Sequence, residues 1–289
     1  MHPIVCFGYF ALVLGFTMFF THPVTQLVSL VSAMVYSNYL KSTRILNKKS
    51  WYTLFVIALV SIMNPLFNHE GATILTYLRD GNPLTLESIT YGISSGAMLC
   101  STIIWFSCFN VVITSDKLVY LFGRIVPALS LVLSMTLRFI PRFKAQMNVV
   151  SDAQRGVGRD AATGGVWSRI KHGVQIMSIL ITWALEGAIE TADSMKSRGY
   201  GLPGRTAFSN FRFDGRDRAV LVTIVMLGGY IWVGSITGLL GFRYFPTMRG
   251  TAPGFGSVSV IICHAVLCAL PMVLNYKEDM VWRALKYGS

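Results

Sequence analysis

The chain has 289 residues, of which 53% are hydrophobic and only 13% are charged, too few charges to cover a water-soluble globule of that size. Composition therefore excludes a soluble enzyme or soluble binding domain and predicts an all-α integral membrane protein. The formal net charge of +12 would suit a phosphate backbone, but its distribution along the chain assigns it to membrane topology, and no nucleic-acid partner is expected.

A helical span takes ~20 apolar residues, with a range of about 17 to 25. The first apolar run, 1–40, is about twice that length. It is interrupted at Thr21-His22-Pro23, where proline removes a backbone donor and disfavours helix in the residue before it. The run therefore predicts a tight helical hairpin. Its start, MHPIVCFGYF, has no basic segment ahead of the apolar stretch and no small-residue cleavage site after it, so it is expected to be retained as a span rather than removed as a signal peptide. Runs at 51–68 and 88–115 predict the third and fourth spans. The low-charge loop between them, 69–87, offers no recognisable site. Runs at 219–242 and 250–276 predict the fifth and sixth, and none of these runs contains Asp, Glu, Lys or Arg.

With the 41–50 connection placed in the cytoplasm, six spans put both termini and the region from about 115 to 218 on that side. Of the 25 Lys and Arg residues, only Arg79, Arg243 and Arg249 then fall on the other side, the asymmetry of the positive-inside rule. The chain divides by this reading into 1–115 with transmembrane helices 1–4, 116–215 as a cytoplasmic region, and 216–289 with helices 5–6 and a tail.

Within the cytoplasmic region, the apolar blocks 125–137 and 173–185 are thirteen residues each. As helix each reaches about 20 Å, short of a ~30 Å hydrocarbon core, and predicts a core or interfacial helix, with a tilted or re-entrant insertion left open. Each block continues as an amphipathic helix. In the first, Phe139, Ile140, Phe143, Met147 and Val150 form the apolar side, Arg138 and Arg142 the charged one, with a kink expected at Pro141. In the second, Ile189, Ala192 and Met195 oppose Glu186, Glu190 and Asp193.

Both continuations end on the same short pattern, Arg155-Gly156-Val157-Gly158 and Arg198-Gly199-Tyr200-Gly201. Gly156 and Gly199 stand where a helix end favours positive φ, and Arg155 and Arg198 where the macrodipole favours a cation. A single such ending is ordinary helix punctuation. Two on adjacent long helices suit two exposed tips, each presenting a planar five-donor guanidinium to an acidic or carbonyl-lined pocket of a partner.

Catalytic and metal signatures are missing from the sequence. No Gly-Lys dipeptide occurs, so there is no P-loop, and no His-Glu-x-x-His or Gly-x-Ser-x-Gly pattern appears. Cys6, Cys100, Cys108, Cys263 and Cys268 all fall in apolar runs without metal-ligand spacing and read as buried hydrophobes. His22 and His264 each lack a second ligand at metal spacing. Asp152, Asp160, Glu186, Glu190 and Asp193 have no partner at catalytic spacing with His172. No catalytic residue, metal ligand or cofactor is therefore expected, and with no charge inside the spans the chain has no energy source of its own.

The two endings, Gln154-Arg155-Gly156 and Ser197-Arg198-Gly199, resemble the paired motifs on the coupling helices of the transmembrane T component of energy-coupling factor transporters, the family that also holds cobalt and nickel uptake membrane subunits. The commonest first residue of those motifs is Ala, replaced here by Gln and Ser. SLVLSMTLRFIPRF and MNPLFNHEGATIL, the latter with Asn64 and Gly71, are similar to further stretches of the family. The resemblance covers 63–201 directly and the flanking spans by topology. It implies a non-catalytic subunit of a multi-pass importer in a bacterial or archaeal plasma membrane, with coupling helices and both termini cytoplasmic. Two ABC-type ATPases would dock at Gln154, Arg155, Gly156, Ser197, Arg198 and Gly199, and a separate membrane S component would capture a vitamin or other micronutrient. Two alternatives stand beside it: a cobalt or nickel importer subunit of the same family, and a multi-pass membrane enzyme or scaffold.

Overall fold

The structure, a computed structural model, describes residues 2–40, 46–77, 82–159, 165–202, 211–251 and 254–287. Part of the expected 41–50 connection, Arg79 and Asp160 lie outside the described residues. The chain forms two compact units, 1–114 with 212–289, and 115–211. The fold is an all-α membrane protein.

The first unit holds α1 (Pro3–Phe19), α2 (Pro23–Leu40), α3 (Leu46–Phe67), α4 (Leu86–Val112), α8 (Gly215–Ile236) and α9 (Phe255–Tyr287), one at each of the six expected spans. Among the described residues, four helices are long and apolar enough to cross a membrane: α4, α8, the 255–281 part of α9, and α7 of the second unit, with α1 and the 55–67 part of α3 as shorter apolar helices. The chain turns between α1 and α2 at the expected Thr21-His22-Pro23, but the pair is not the tight hairpin expected. Instead α2 packs chiefly against α4 and α9.

Trp105 of α4 explains this arrangement. It is fully buried, with Tyr9 and Phe10 of α1 edge-on to it and Tyr36 of α2 tilted against it. Its Nε1 donates to Ser29 Oγ at 3.1 Å, and Ser29 Oγ lies 2.8 Å from Thr17 Oγ1, which donates to the Val13 carbonyl. An unpaired polar group costs several kcal/mol in hydrocarbon, so this relay fixes the register of α1, α2 and α4 together. On the other side of α4, Gly92 and Gly96 let α3 approach closely; a Cβ on Gly96 would stand 3.1 Å from Ile57 Cα.

The described residues of the 69–87 loop form local structure. β1 (Ile74–Tyr77) and β2 (Pro83–Thr85) pair antiparallel, and Thr85 caps α4 by accepting from the Ser88 amide. Glu87, in the first turn, is buried and accepts from the Thr73 amide and, at 2.7 Å, from its hydroxyl. A second hairpin, β3 (Phe242–Arg243) with β4 (Arg249–Gly250), is tied to the first by the Ala72 amide, which donates to the Pro246 carbonyl at 2.9 Å.

The second unit holds α5 (Ser115–Ile125), α6 (Pro127–Gly156) and α7 (Val166–Ser197). α5 was not expected. Pro127 ends it and opens α6 at a position where its missing N–H costs nothing, so the block 125–137 begins on the last residue of one helix and continues in the next. Pro141 lies inside α6, which continues to Gly156. α7 contains the block 173–185 and satisfies the length and apolarity of a membrane-crossing helix, a property its thirteen-residue block alone did not reveal.

Candidate functional site

The predicted tips lie at the ends of α6 and α7. These helices run antiparallel within the second unit, as the order of their contacts requires: Phe139 with Trp183, then Phe143 and Val150 with Leu180 and Ile176. Phe139 and Trp183 stack at 5.8 Å, and the Arg142 guanidinium sits over the same indole at 5.4 Å. Arg142 is exposed, as expected of the polar side, and the aromatic face also holds it by cation–π attraction. Ile140 (56% exposed), Met147 and Ile189 (65% exposed) had been expected on apolar stripes but face outward.

Between the N-terminal half of α6 and the C-terminal half of α7 lies an open apolar groove of about 500 Å³. Its walls include Met135, Phe139, Arg142, Trp183, Ala192 and Met195. The sequence placed Ala192 and Met195 on an apolar stripe; it did not show that the stripe and α6 enclose a groove. The pairing signal was present as aromatics at 139, 143 and 183, but their partner could be identified only from tertiary structure.

Each helix ends in the same hydrogen-bonded turn. In α6 the Arg159 amide donates to the Gln154 carbonyl at 2.9 Å and the Gly158 amide to the Arg155 carbonyl at 3.0 Å. In α7 the Tyr200 amide donates to the Met195 carbonyl and the Gly199 amide to the Lys196 carbonyl, both at 3.0 Å. These are Schellman ends, which place the C′ residue at positive φ. The residues in that place are Gly158 (φ 77°) and Gly199 (φ 75°). The expectation for Gly199 is met. The one for Gly156 is corrected: Gly156 is the last residue of α6 and is not at positive φ, because the turn closes two positions later on the second glycine of the motif.

Gln154 is half-buried; Arg155, Gly156, Ser197 and Arg198 are exposed, and Gly199 is half-buried. The Ser197 hydroxyl donates to the Ser194 carbonyl at 2.9 Å, relieving one of the terminal carbonyls of α7. Arg155 lies inside the last turn of α6, whereas Arg198 is the cap residue of α7, so the two guanidinium stems leave their helices at different points of the same turn.

His172 Nε2 lies 3.1 Å from Ser168 Oγ on one helix face, but its Nδ1 has no hydrogen-bond partner, so no acid orients the ring. Among the described residues, no group of three His, Cys, Asp or Glu could hold a metal ion. The five cysteines form no disulfide, and four of them are buried.

Comparison with known proteins places these features in context. A family model described as cobalt transport protein, CbiQ, matches residues 4–208. The energy-coupling factor transporter transmembrane protein EcfT of Listeria innocua is 28% identical over 200 residues, 64% of this chain and 73% of that protein. The protein of the same description from Bacillus subtilis is 33% identical over 108 residues, 37% of this chain and 41% of that one. That of Lactococcus lactis is 33% identical over 103 residues, 35% and 39%. The matched stretch thus spans less than half the length of the latter two.

Proposed function

The chain belongs to the CbiQ family of cobalt transport proteins, the membrane T components of energy-coupling factor transporters, and we propose that it is the coupling subunit of an ATP-driven importer. Two ABC-type ATPases dock at its helix tips, through Gln154, Arg155 and Gly156 at one and Ser197, Arg198 and Gly199 at the other. The tips, the 41–50 connection and both termini face the cytoplasm of a bacterial or archaeal cell. The chain binds no nucleotide and catalyses no reaction; ATP binding and hydrolysis occur on the partners.

The observation that carries this reading is the pair of matched helix ends, each bearing exposed cations, on two helices clamped to each other by the Phe139–Trp183 stack. Movement of a docked ATPase is delivered to α6 or α7 as displacement of a rigid rod, since a helix of about 30 residues spans ~45 Å. The methionine-lined groove between the rods is a surface that can repack against a second membrane protein, and we assign it to the S component that captures the cargo. That cargo is a vitamin or other micronutrient. Cobalt is the second reading, favoured by the description of the matching family.

Purification from native membranes tests the proposal. Two ATP-binding subunits and a small membrane protein should accompany the chain. Isolation of the chain alone, from membranes that retain transport activity for its cargo, would refute it.

A further inference from the structure

Aligning the two tips by motif and aligning them by geometry give different answers. By motif, Arg155 corresponds to Arg198. By geometry the reference is the positive-φ glycine, Gly158 or Gly199, whose φ values agree within a few degrees and whose preceding residues, Val157 (φ −91°, ψ 8°) and Arg198 (φ −84°, ψ 12°), agree as closely. In that frame Arg155 stands three positions before the glycine, and the residue three positions before Gly199 is Lys196. The carbonyls confirm the register, since Arg155 and Lys196 each accept from the glycine amide at 3.0 Å.

Arg198 corresponds in this frame to Val157. The two-residue offset turns a side chain by about 200° around the helix axis and moves it about 3 Å along it. A pocket that approaches the end of α6 to take Arg155 would, approaching α7 in the same way, meet Lys196 first. Lys196 is exposed, and a lysine can reach an acidic or carbonyl-lined pocket as a point charge.

We propose that Lys196 is a docking residue for the second ATPase, the geometric counterpart of Arg155, and that Arg198 adds a contact from the opposite side of the turn. The cation three positions before the glycine is then the element common to both tips. Each tip carries a second cation that differs in place, Arg159 just beyond the glycine in the first and Arg198 just before it in the second. This inference rests on the proposed function above, because it assumes that the tips dock ATPases. A cation near a helix C-terminus also stabilises the helix through the macrodipole, so the test must read docking separately from helix stability.

The experiment compares Lys196→Gln, Lys196→Arg, Arg155→Ala and Arg198→Ala in the full-length tagged chain co-expressed with its ABC ATPases. It measures ATPase retained over a salt series, together with amide exchange at the end of α7. Lys196→Gln is expected to weaken retention at the second tip by about tenfold, a typical effect of losing one substantial interface contact, with exchange in the last turn little changed and with Lys196→Arg close to wild type. Wild-type retention in Lys196→Gln alongside losses in both arginine variants overturns the inference and leaves the docking reading standing. A loss in Lys196→Arg as large as in Lys196→Gln overturns it as well, as does a loss explained by fraying of the α7 end. Full retention in both arginine variants removes the docking reading itself, and the role of Lys196 with it.

Discussion

Phe139 of α6 stacks on Trp183 of α7 with ring centroids 5.8 Å apart and an interplanar angle of 25°. Arg155 follows Phe139 by sixteen positions and Arg198 follows Trp183 by fifteen, about 24 and 22 Å of helix. The stack is thus close to the midpoint between the tips, where a clamp transmits force from either helix to the other. A double-mutant cycle with Phe139→Leu and Trp183→Leu should return a coupling energy of about 0.5–1.5 kcal/mol, measured by unfolding of the purified protein. A coupling indistinguishable from zero would mean the rings merely touch.

The two glycines of the first motif should respond in opposite directions to the same substitution. Gly158→Ala places a side chain at φ 77° and should loosen the end of α6 by about 1 kcal/mol. Gly156→Ala, in a helical position with open space around the added Cβ, should tighten it by about 0.5–1 kcal/mol. Amide exchange in the last turn of α6 reads both, and the reverse order would mean that the turn closes on Gly156 after all.

Gly71 packs against the start of α4, next to Thr85 and Glu87. Its φ is 142°, and an added Cβ would stand 2.7 Å from Glu87 Oε2 and from Thr85 Oγ1. Gly71→Ala should therefore cost about 1–3 kcal/mol locally and expose the β1–β2 hairpin to protease, whereas Gly173→Ala, with no neighbour within 4 Å, should leave protease resistance unchanged. Equal resistance of wild type and Gly71→Ala would contradict the packing described.

The contact of α3 with α4 is a similar case inside the apolar unit. Gly96→Leu has to displace Ile57, whose Cα would lie 3.1 Å from the new Cβ, and overpacking of this kind costs about 1–3 kcal/mol. A thermal midpoint in detergent equal to that of wild type would show that the helices part without penalty.

The membrane character was legible because it is written in uncharged runs: each of the six expected spans coincides with a helix, and the chain turns at Pro23 as its missing donor requires. Less was legible where two choices were locally equivalent. RGVG offers two glycines, and which one adopts positive φ is decided by the bond from the Arg159 amide to the Gln154 carbonyl, not by composition. Arg142 is exposed, as its helix period implies, but that it lies over Trp183 depends on the placement of another helix and could not be read from the period. Thr73 meets Glu87 across fourteen residues, a pairing no local pattern announces. Helix α5 escaped notice because Ile125 joins directly to the apolar block that follows, and the stop is supplied by Pro127 alone.

Docking of the ATPases by Arg155 and Arg198 is the property on which the proposed function depends. The direct measurement is the ratio of ATPase to membrane subunit after affinity purification of wild type, Arg155→Ala, Arg198→Ala and the double variant, each first shown to be inserted and folded. Removing one member of a desolvated charge pair costs ~2 to 5 kcal/mol, on the order of 30-fold to several-thousand-fold in affinity. Two ATPases are expected on the wild type, a reduced ratio in each single variant and almost none in the double variant. A double variant that is folded, inserted and still loaded with both ATPases would contradict the proposed function.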